Sequence, residues 1–457
     1  MIDPIHSLSL RTIAGRLEDG TLTARAVTEA TFERHDAALD AYVTWTPDFA
    51  RRQAAAADAA FTAGTRLGGL QGIPLSLKDL YGVAGLPTYA GSPRQLPPDW
   101  STEGPVVTLL RRQLAVIVGK THTVEFAFGG LGTSGHHPVP RNPRDPATHR
   151  APGGSSSGAG VSVVEGTALV AFGTDTGGSV RIPASLTGTV GLKTTLGRWS
   201  TDGIVPLSPS FDTPGILTRS VADAAHAFEC IDGATVPRSD HGTELRIGIA
   251  EPFFWSDTSP GVAERVCEVL PLLEADGAVL VDQPLPGAAE VFELYRLGGI
   301  VSAELYTFLR STLPDWLDTL DPRVKRRMDD GKALEAWEFL NRTARYNHLA
   351  RNAAALLAPF DAVISPTVPL TPPRVSDLKQ DDTYARLNLL MLRNTCVVSF
   401  LGLCAVTLPV GLDAAGMPAG LQLIGAPRTE TKLLAIARRI ETLLARRDIW
   451  RPPHTLD

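Results

Sequence analysis

The chain between Arg150 and Pro183 reads R-A-P-G-G-S-S-S-G-A-G-V-S-V-V-E-G-T-A-L-V-A-F-G-T-D-T-G-G-S-V-R-I-P. Two glycine–serine loops, Gly153–Gly158 and Thr176–Ser179, flank a single apolar stretch. Such loops leave serine hydroxyls and backbone N–H groups uncovered by bulky side chains. Attack on a carbonyl needs this combination, because the nucleophile must stand beside donors that receive the oxyanion. The stretch therefore predicts a site for nucleophilic catalysis.

A lysine ends an apolar run upstream of these loops. Residues Gly72–Asp79 read G-I-P-L-S-L-K-D, which places Lys78 at the end of a largely apolar segment. Burial disfavours the charged form of lysine and lowers its pKa, and a pKa of about 7–8 suits a general base. The neighbouring Asp79 would oppose that shift, but adjacent side chains of an extended segment point to opposite sides. Lys78 is therefore predicted to be a buried base.

These segments together resemble the amidase signature family, whose members hydrolyse amide bonds with a Ser–Ser–Lys triad. The resemblance extends over most of the chain. Further stretches similar to the family are Gly119–Ala127, Arg141–Pro143, Gly191–Lys193, Gly197–Arg198, Thr218–Ala224 and Gly416–Gly425. The chain departs from the family at His122, where asparagine is usual, and at Val164, where the family usually has a small residue.

The resemblance implies a role for each member of the triad. Ser179 would be the nucleophile, and Ser155 would relay a proton between Ser179 and Lys78. The family also implies a cis peptide bond at Ser155. Backbone N–H groups would receive the oxyanion, with an ion pair or hydrogen bonds supporting the loop. The implied oxyanion donors are Thr176, Gly177, Gly178 and Ser179, and the implied loop supports are Asp175 and Arg181.

Short apolar runs alternate with helical patterns after Gly64, which predicts an α/β fold with a parallel or mixed sheet covered on both faces. The predicted strands are Ile73–Leu77, Ala115–Val118, Leu169–Phe172, Leu245–Ile249, Ala278–Val281, Asp361–Ser365, Ala405–Pro409 and Gly420–Ile424. Length alone favours two or three domains, whereas the resemblance implies one compact amidase domain over residues 1–457 with a large mixed sheet. Residues 1–64 are predicted to be mainly helical, as are the aromatic-rich residues 291–355. In this family the latter region can wall the substrate pocket.

The composition of the chain limits the kinds of binding partner that are expected. The net charge is −6 with no long basic run, which argues against nucleic acid and anionic membranes. The apolar stretch Cys396–Leu412 is short and broken by glycine and proline, so it is predicted to be buried in the fold. The four cysteines form no metal-ligand or disulfide pattern, and the N-terminus shows no signal peptide, so a cytoplasmic protein is expected.

No cofactor is implied, because the glycine loops match neither a dinucleotide fingerprint nor a Walker motif. No metal site is expected either, because His136, His137 and His149 lack a second ligand pair. His122 could line the pocket or be structural.

The sequence thus predicts an amidohydrolase that cleaves a carboxamide through a serine acyl-enzyme and releases ammonia or an amine. Two catalytic alternatives stay open: a ureido or carbamate hydrolase of the biuret or allophanate type, and the A subunit of a glutamyl-tRNA amidotransferase. A catalytically silent binding protein is a further alternative, although the intact triad argues against it. The substrate, the need for a companion protein and a homodimeric state are left open.

Overall fold

The computed structural model describes residues 5–237, 244–283, 285 and 287–450. Within those residues, eleven strands form one sheet in the order β1-β3-β2-β4-β6-β5-β10-β11-β9-β7-β8. The strands are β1 (Tyr42–Trp45), β2 (Pro74–Lys78), β3 (Val116–Thr121), β4 (Val170–Thr174), β5 (Val190–Lys193), β6 (Pro214–Thr218), β7 (Arg246–Ala250), β8 (Val279–Gln283), β9 (Ala362–Pro366), β10 (Cys404–Leu412) and β11 (Pro418–Gly425).

Fifteen α-helices accompany the sheet in the described part of the chain. They are α1 (Leu10–Glu18), α2 (Ala24–Phe32), α3 (Pro47–Thr62), α4 (Pro105–Arg112), α5 (Ser157–Glu165), α6 (Arg181–Thr187), α7 (Val221–Asp232), α8 (Val262–Cys267), α9 (Leu270–Ala275), α10 (Ala288–Arg296), α11 (Ile300–Thr312), α12 (Pro322–Lys332), α13 (Ala336–Leu357), α14 (Asp381–Phe400) and α15 (Glu430–Arg446). Short 3₁₀ turns lie at Ile5–Ser7, Ala37–Leu39, Pro98–Ser101, Glu125–Ala127, Pro252–Phe254, Pro314–Thr319 and Val375–Lys379.

The sheet is mixed, as the sequence predicts. β2 pairs in parallel with β3 and with β4, and β7 pairs in parallel with β8 and with β9. The central strands from β4 through β6, β5, β10 and β11 to β9 are antiparallel. The α/β fold class is therefore confirmed. All five residues of β2 and of β4 are buried, which explains why both strands are largely apolar in sequence.

All eight predicted strands are present, with ends that differ by a few residues, but β1, β5 and β6 were not predicted. β1 lies inside the region predicted to be helical, so that prediction is wrong at Tyr42–Trp45. Its four residues are all aromatic or β-branched, which favours a strand, and they pair antiparallel with β3. β5 and β6 contain glycine, and β6 begins with proline, which in sequence look like turn signals.

The parallel pairing of β2 with β4 brings the two halves of the site together. Leu77 lies opposite Phe172 in this register, so Lys78 at the end of β2 comes close to the end of β4. The two glycine–serine loops lead into α5 and α6, and every residue of α6 is buried. Side chains at the carboxyl ends of parallel strands meet at one edge of a sheet, where α/β proteins commonly place their ligands.

Two further expectations concern the second half of the chain. Residues 291–355 are largely helical, since they span most of α10, all of α11 and α12, and most of α13. The apolar stretch Cys396–Leu412 forms the end of α14 and then β10, and it is buried except for half-buried Gly402 in the turn and exposed Leu412. Among the described residues, no helix combines the length and the apolar character that crossing a bilayer requires.

Candidate active site

Lys78 occupies the last position of β2, and its side chain is fully buried. Its side-chain nitrogen Nζ lies 2.7 Å from Oγ of Ser155 and 2.8 Å from Oγ1 of Thr174. Sequence reasoning missed Thr174, the last residue of β4. The parallel register of β2 and β4 explains the contact, because it sets the two strand ends side by side. The lysine is thus held in one orientation by two hydroxyl groups.

Burial lowers the pKa of Lys78 from its usual 10.5 to about 7, although the negative charges of Asp212 and Asp175 act in the opposite direction. Near neutral pH a large fraction of the Lys78 side chains therefore lacks a proton. Asp79 does not reach Lys78, because its carboxylate pairs with the buried ammonium of Lys120 at 2.7 Å. It also accepts the backbone N–H of Tyr89 at 2.9 Å.

Ser155 lies in the first glycine–serine loop, just before α5. The peptide bond between Gly154 and Ser155 is cis. The Ser155 carbonyl accepts the N–H of Val124 at 3.0 Å, and the Gly154 N–H donates to the carbonyl of Gly130 at 2.8 Å. A Cβ atom at Gly154 would lie 2.6 Å from the backbone nitrogen of Gly132, so only glycine fits here. The loop is therefore fixed by its close packing against the segment that follows β3.

Ser179 lies in the second glycine–serine loop, between β4 and α6. Its carbonyl accepts the N–H of Ser156 at 3.3 Å, a hydrogen bond that joins the two loops. The residue lines a small recess whose other walls include Gly177, Phe128 and Arg327. The structure thus places Ser179 at a recess and connects its loop directly to the loop of Ser155.

The backbone amides of the second loop differ in their hydrogen bonding. The N–H of Gly178 donates to Oδ1 of Asp175 at 2.7 Å, so this amide is already occupied. The N–H groups of Thr176, Gly177 and Ser179 have no acceptor among the described residues. Gly178 also has a φ of +135°, which glycine adopts far more readily than other residues. Three of the four implied oxyanion donors are therefore free to receive a ligand.

Asp175 and Arg181 form a fully buried ion pair beneath this loop. Nε and Nη2 of Arg181 donate to the two carboxylate oxygens of Asp175 at 3.0 and 2.9 Å. Burial alone would raise the pKa of Asp175, but the charge and hydrogen bonds of Arg181, the charge of Lys193 and the N–H of Val180 together lower that pKa to about 2. Arg181 also donates to Gln422 Oε1 on β11 and to the Thr395 carbonyl on α14. The pair therefore ties the loop to two distant elements.

Asp212 is a buried carboxylate that the sequence did not single out. Its oxygens accept the hydroxyl of Thr176 and the backbone N–H groups of Leu207 and Ser208. Burial raises the pKa of Asp212 to about 6, while these hydrogen bonds and the charge of Lys78 oppose the rise. The pairing of β4 with β6, whose first residue is Pro214, sets Asp212 beside the loop.

A larger cavity of about 520 Å³ adjoins the recess of Ser179. The two spaces share lining residues, including Phe128, Tyr295, Arg327 and Phe400. The cavity walls come mainly from the end of α10, the start of α11, and residues of α12 and α14. Several of these helices belong to the predicted helical region 291–355.

The histidines near the site contact protein groups. His122 is buried, and burial followed by the charge of His137 lowers its pKa to about 4, so it is neutral at physiological pH. Nε2 of His137 lies 2.9 Å from the Ser92 carbonyl, and Nε2 of His149 lies 3.0 Å from the Val139 carbonyl. His136 lies 3.4 Å from the buried carboxylate of Glu125. Within the described residues, no group of three or more His, Cys, Asp or Glu side chains could hold a metal ion.

The edge of this mixed sheet presents a buried lysine to a serine hydroxyl, and a glycine loop with free amides lies beside them. This combination is that of a hydrolase of the amidase type. The chain belongs to the Amidase family, which it matches over residues 26–434. Membership makes the protein a hydrolase that acts on C–N bonds of the amide type.

Comparison with individual proteins agrees with this assignment. The chain is 47% identical over 444 residues to 2-amino-5-chloromuconic acid deaminase of Comamonas testosteroni, with 96% of each chain covered. It is 31% identical over 419 residues to the A subunit of the glutamyl-tRNA(Gln) amidotransferase of Akkermansia muciniphila, covering 82% of this chain and 85% of that protein. A crystal structure of an amidase superposes with a TM-score of 0.85 at 32% identity, covering 95% of this chain and 99% of that chain.

Proposed function

We propose that the protein hydrolyses a C–N bond of its substrate through an acyl-enzyme on Ser179. Ser155 and Lys78 would transfer the protons. The observation that carries this proposal is the 2.7 Å contact between Nζ of Lys78 and Oγ of Ser155. A serine hydroxyl is a weak nucleophile unless a base takes its proton. A buried lysine with a pKa of about 7 is suited to that role.

In the first half of the reaction, Oγ of Ser179 would attack the carbonyl carbon, and its proton would pass through Oγ of Ser155 to Nζ of Lys78. The free N–H groups of Thr176, Gly177 and Ser179 would receive the oxyanion. The amide of Gly178 is left out of this set because it donates to Asp175. Collapse of the tetrahedral intermediate would break the C–N bond, and the proton on Lys78 would return through Ser155 to the leaving nitrogen.

In the second half, water would attack the ester carbonyl of the acyl-enzyme, and its proton would pass through Ser155 to Lys78. The same two residues would then return a proton to Oγ of Ser179. The bond between the acyl carbon and Oγ of Ser179 would break, which releases the acid and regenerates the serine. Apart from water, the two steps need no further substrate, and neither needs an oxidant or a reductant. The cavity of about 520 Å³ beside the recess would hold the rest of the substrate, with the predicted region 291–355 forming part of its wall.

A second candidate is hydrolytic deamination, in which the leaving group is ammonia and the substrate is an unsaturated amino acid. This candidate is favoured by the likeness to the deaminase of Comamonas testosteroni, whose named substrate carries an amino group. The role of an amidotransferase A subunit ranks lower, because A subunits such as those of Akkermansia muciniphila and Chloroflexus aurantiacus are 31% and 36% identical to this chain, against 47% for the deaminase. A homodimer and a cytoplasmic location are further proposals, the latter supported by four cysteines that are all free thiols.

The test is release of ammonia or amine from a panel of carboxamides, ureido compounds, carbamates and 2-aminodienoic acids. Wild type would be compared with Ser179→Ala, Ser155→Ala and Lys78→Met. Ser157→Ala is the matched control, because Ser157 belongs to the same loop as Ser155 but its hydroxyl forms no hydrogen bond to any described residue. We expect loss of turnover in the first three variants only. Full turnover by folded Ser179→Ala would disprove the proposal.

A further inference from the structure

The cavity beside Ser179 is rich in arginine. Its lining includes Arg296, Arg323, Arg326 and Arg327, together with the two carboxylates of Asp330 and Asp381. An arginine stays charged at every physiological pH. The surroundings of these four residues therefore decide whether the cavity has positive charge to offer a ligand.

Three of the four arginines have their charge balanced or solvated. Arg296 donates to both carboxylate oxygens of Glu293, one turn earlier on α10. Nε of Arg323 donates to Asp381 at 2.9 Å, and its guanidinium lies over the ring of Tyr384. Arg326 is exposed, so water solvates its charge.

Arg327 differs, because no carboxylate of the described residues lies within ion-pair distance of it. Its Nη1 donates to the Phe128 carbonyl at 2.7 Å, and its Nη2 donates to the Tyr295 hydroxyl at 2.9 Å. The guanidinium also lies 3.8 Å from the centre of the Phe128 ring. These contacts occupy two of the five N–H donors and supply no negative charge. The side chain is half-buried, so water solvates its charge less completely than the charge of the exposed Arg326.

The position of Arg327 connects this charge to the nucleophile. Arg327 lines both the larger cavity and the small recess that Ser179 lines. The neutral contacts to Phe128 and Tyr295 fix the guanidinium plane, so that it is oriented before a ligand arrives. A planar guanidinium matches a carboxylate with two parallel hydrogen bonds.

We propose that Arg327 binds a carboxylate of the substrate, so that the enzyme acts on small carboxylic acids whose cleavable C–N bond reaches Ser179. This inference rests on the proposed function for the identity of the nucleophile. Arg327 is then a residue that determines specificity by charge. Neutral amides of the same length are poor substrates, because they leave the charge of Arg327 unpaired.

The kinetic test compares a monoamide of a dicarboxylic acid with the methyl ester of the same monoamide, which lacks the negative charge. We expect wild type to prefer the charged amide and Arg327→Met to lose about 10- to 100-fold in kcat/KM for it, the range expected for a hydrogen-bonded charge. The neutral ester amide should change by less than about 3-fold on the same scale. Lys325→Met is the matched control, because it removes a positive charge from the same helix at an exposed position outside the cavity lining.

Arg327 also holds Phe128 and Tyr295, so a purely structural role must be distinguished. A structural role would lower turnover of the charged and neutral amides to the same degree, and that result would overturn the inference. Arg327→Lys should restore part of the preference for the charged amide, since it keeps the charge but not the paired hydrogen bonds. Equal turnover of both amides by wild type would also overturn the inference, while leaving the proposed function intact.

A binding measurement separates the two proposals. Calorimetry with folded Ser179→Ala would measure the affinity for adipate and for cis,cis-muconate, two six-carbon dicarboxylates, and for their dimethyl esters. We expect the dicarboxylates to bind and Arg327→Met in the same background to weaken their binding by about 10-fold or more. Unchanged affinity would overturn the inference about Arg327, whether or not Ser179 proves to be the nucleophile.

Discussion

Nζ of Lys78 contacts Oγ of Ser155 at 2.7 Å although the two residues lie 77 positions apart in the chain. Thr174 holds the same nitrogen from the end of the neighbouring parallel strand. This arrangement presents a buried lysine to a serine hydroxyl without any imidazole between them. In the proposed reaction, turnover therefore depends on whether Lys78 carries a proton.

The first prediction is that kcat/KM rises with pH through about 7. Burial lowers the pKa of Lys78 to about 7, and only the neutral amine can accept a proton. Activity should therefore be low at about pH 5.5, half-maximal near pH 7 and level above about pH 8, measured on a substrate that does not titrate in that range. A rate that stays constant from about pH 5 to 9, with chemistry rate-limiting, would contradict a role for Lys78 as base.

The second prediction concerns Asp212, whose negative charge raises the pKa of Lys78. Asp212→Asn removes that charge, so the acid limb of the pH profile should move to lower pH. The asparagine can keep the local hydrogen bonds if its amide nitrogen donates to Thr176 and its oxygen accepts the N–H groups of Leu207 and Ser208. A variant with lower activity but an unmoved acid limb would mean that Asp212 acts only on the loop structure.

The sequence predicts the parts of this site that lie in local motifs. Lys78 ends an apolar run, and Ser155 and Ser179 each follow a glycine, so the residues and their spacing are visible without a structure. An α/β fold with a parallel or mixed sheet follows in the same way from short apolar runs that alternate with helical patterns, and the family resemblance implies the mixed sheet. Such patterns do not show which strands pair with each other.

Thr174 and Asp212 show this limit most clearly. Asp212 lies 36 residues from Thr176 and reaches it only because β4 pairs with β6, a strand whose proline and glycine look like a turn in the sequence. Arg327 belongs to a basic stretch of α12 that resembles an ordinary solvated helix face. That no carboxylate of the described residues pairs with Arg327 becomes apparent only when the carboxylates around it can be located in space.

The third prediction concerns the stability of the protein and not its activity. Lys78 has a pKa of about 7 in the folded protein and an ordinary value of 10.5 when unfolded. Between these values the unfolded chain binds more protons at this residue, so this site makes the free energy of unfolding rise with pH. Lys78→Met removes that contribution, and its stability relative to wild type should decrease as pH rises from about 7 to about 10. A difference that is constant over this range, measured by urea unfolding, would show that the folded-state pKa is not lowered.

The fourth prediction is that the pair of Asp175 and Arg181 is essential to the loop. Both side chains are fully buried, so Arg181→Met leaves the charge of Asp175 without its partner. Loss of one partner of a buried pair typically costs about 3–5 kcal/mol. We expect a loss of that order in the free energy of unfolding, with loss of turnover because the amides of the loop lose their support.

A matched control for this variant is Arg51→Met, which breaks the exposed ion pair of Arg51 with Glu29. Exposed pairs contribute about 0–1 kcal/mol, because water already solvates both charges. The control should therefore keep wild-type stability and turnover. If Arg181→Met unfolds at the same denaturant concentration as this control, the buried pair does not stabilise the fold, and other contacts must hold the loop, among them the hydrogen bond from the Thr395 hydroxyl on α14 to the Gly177 carbonyl at 2.7 Å.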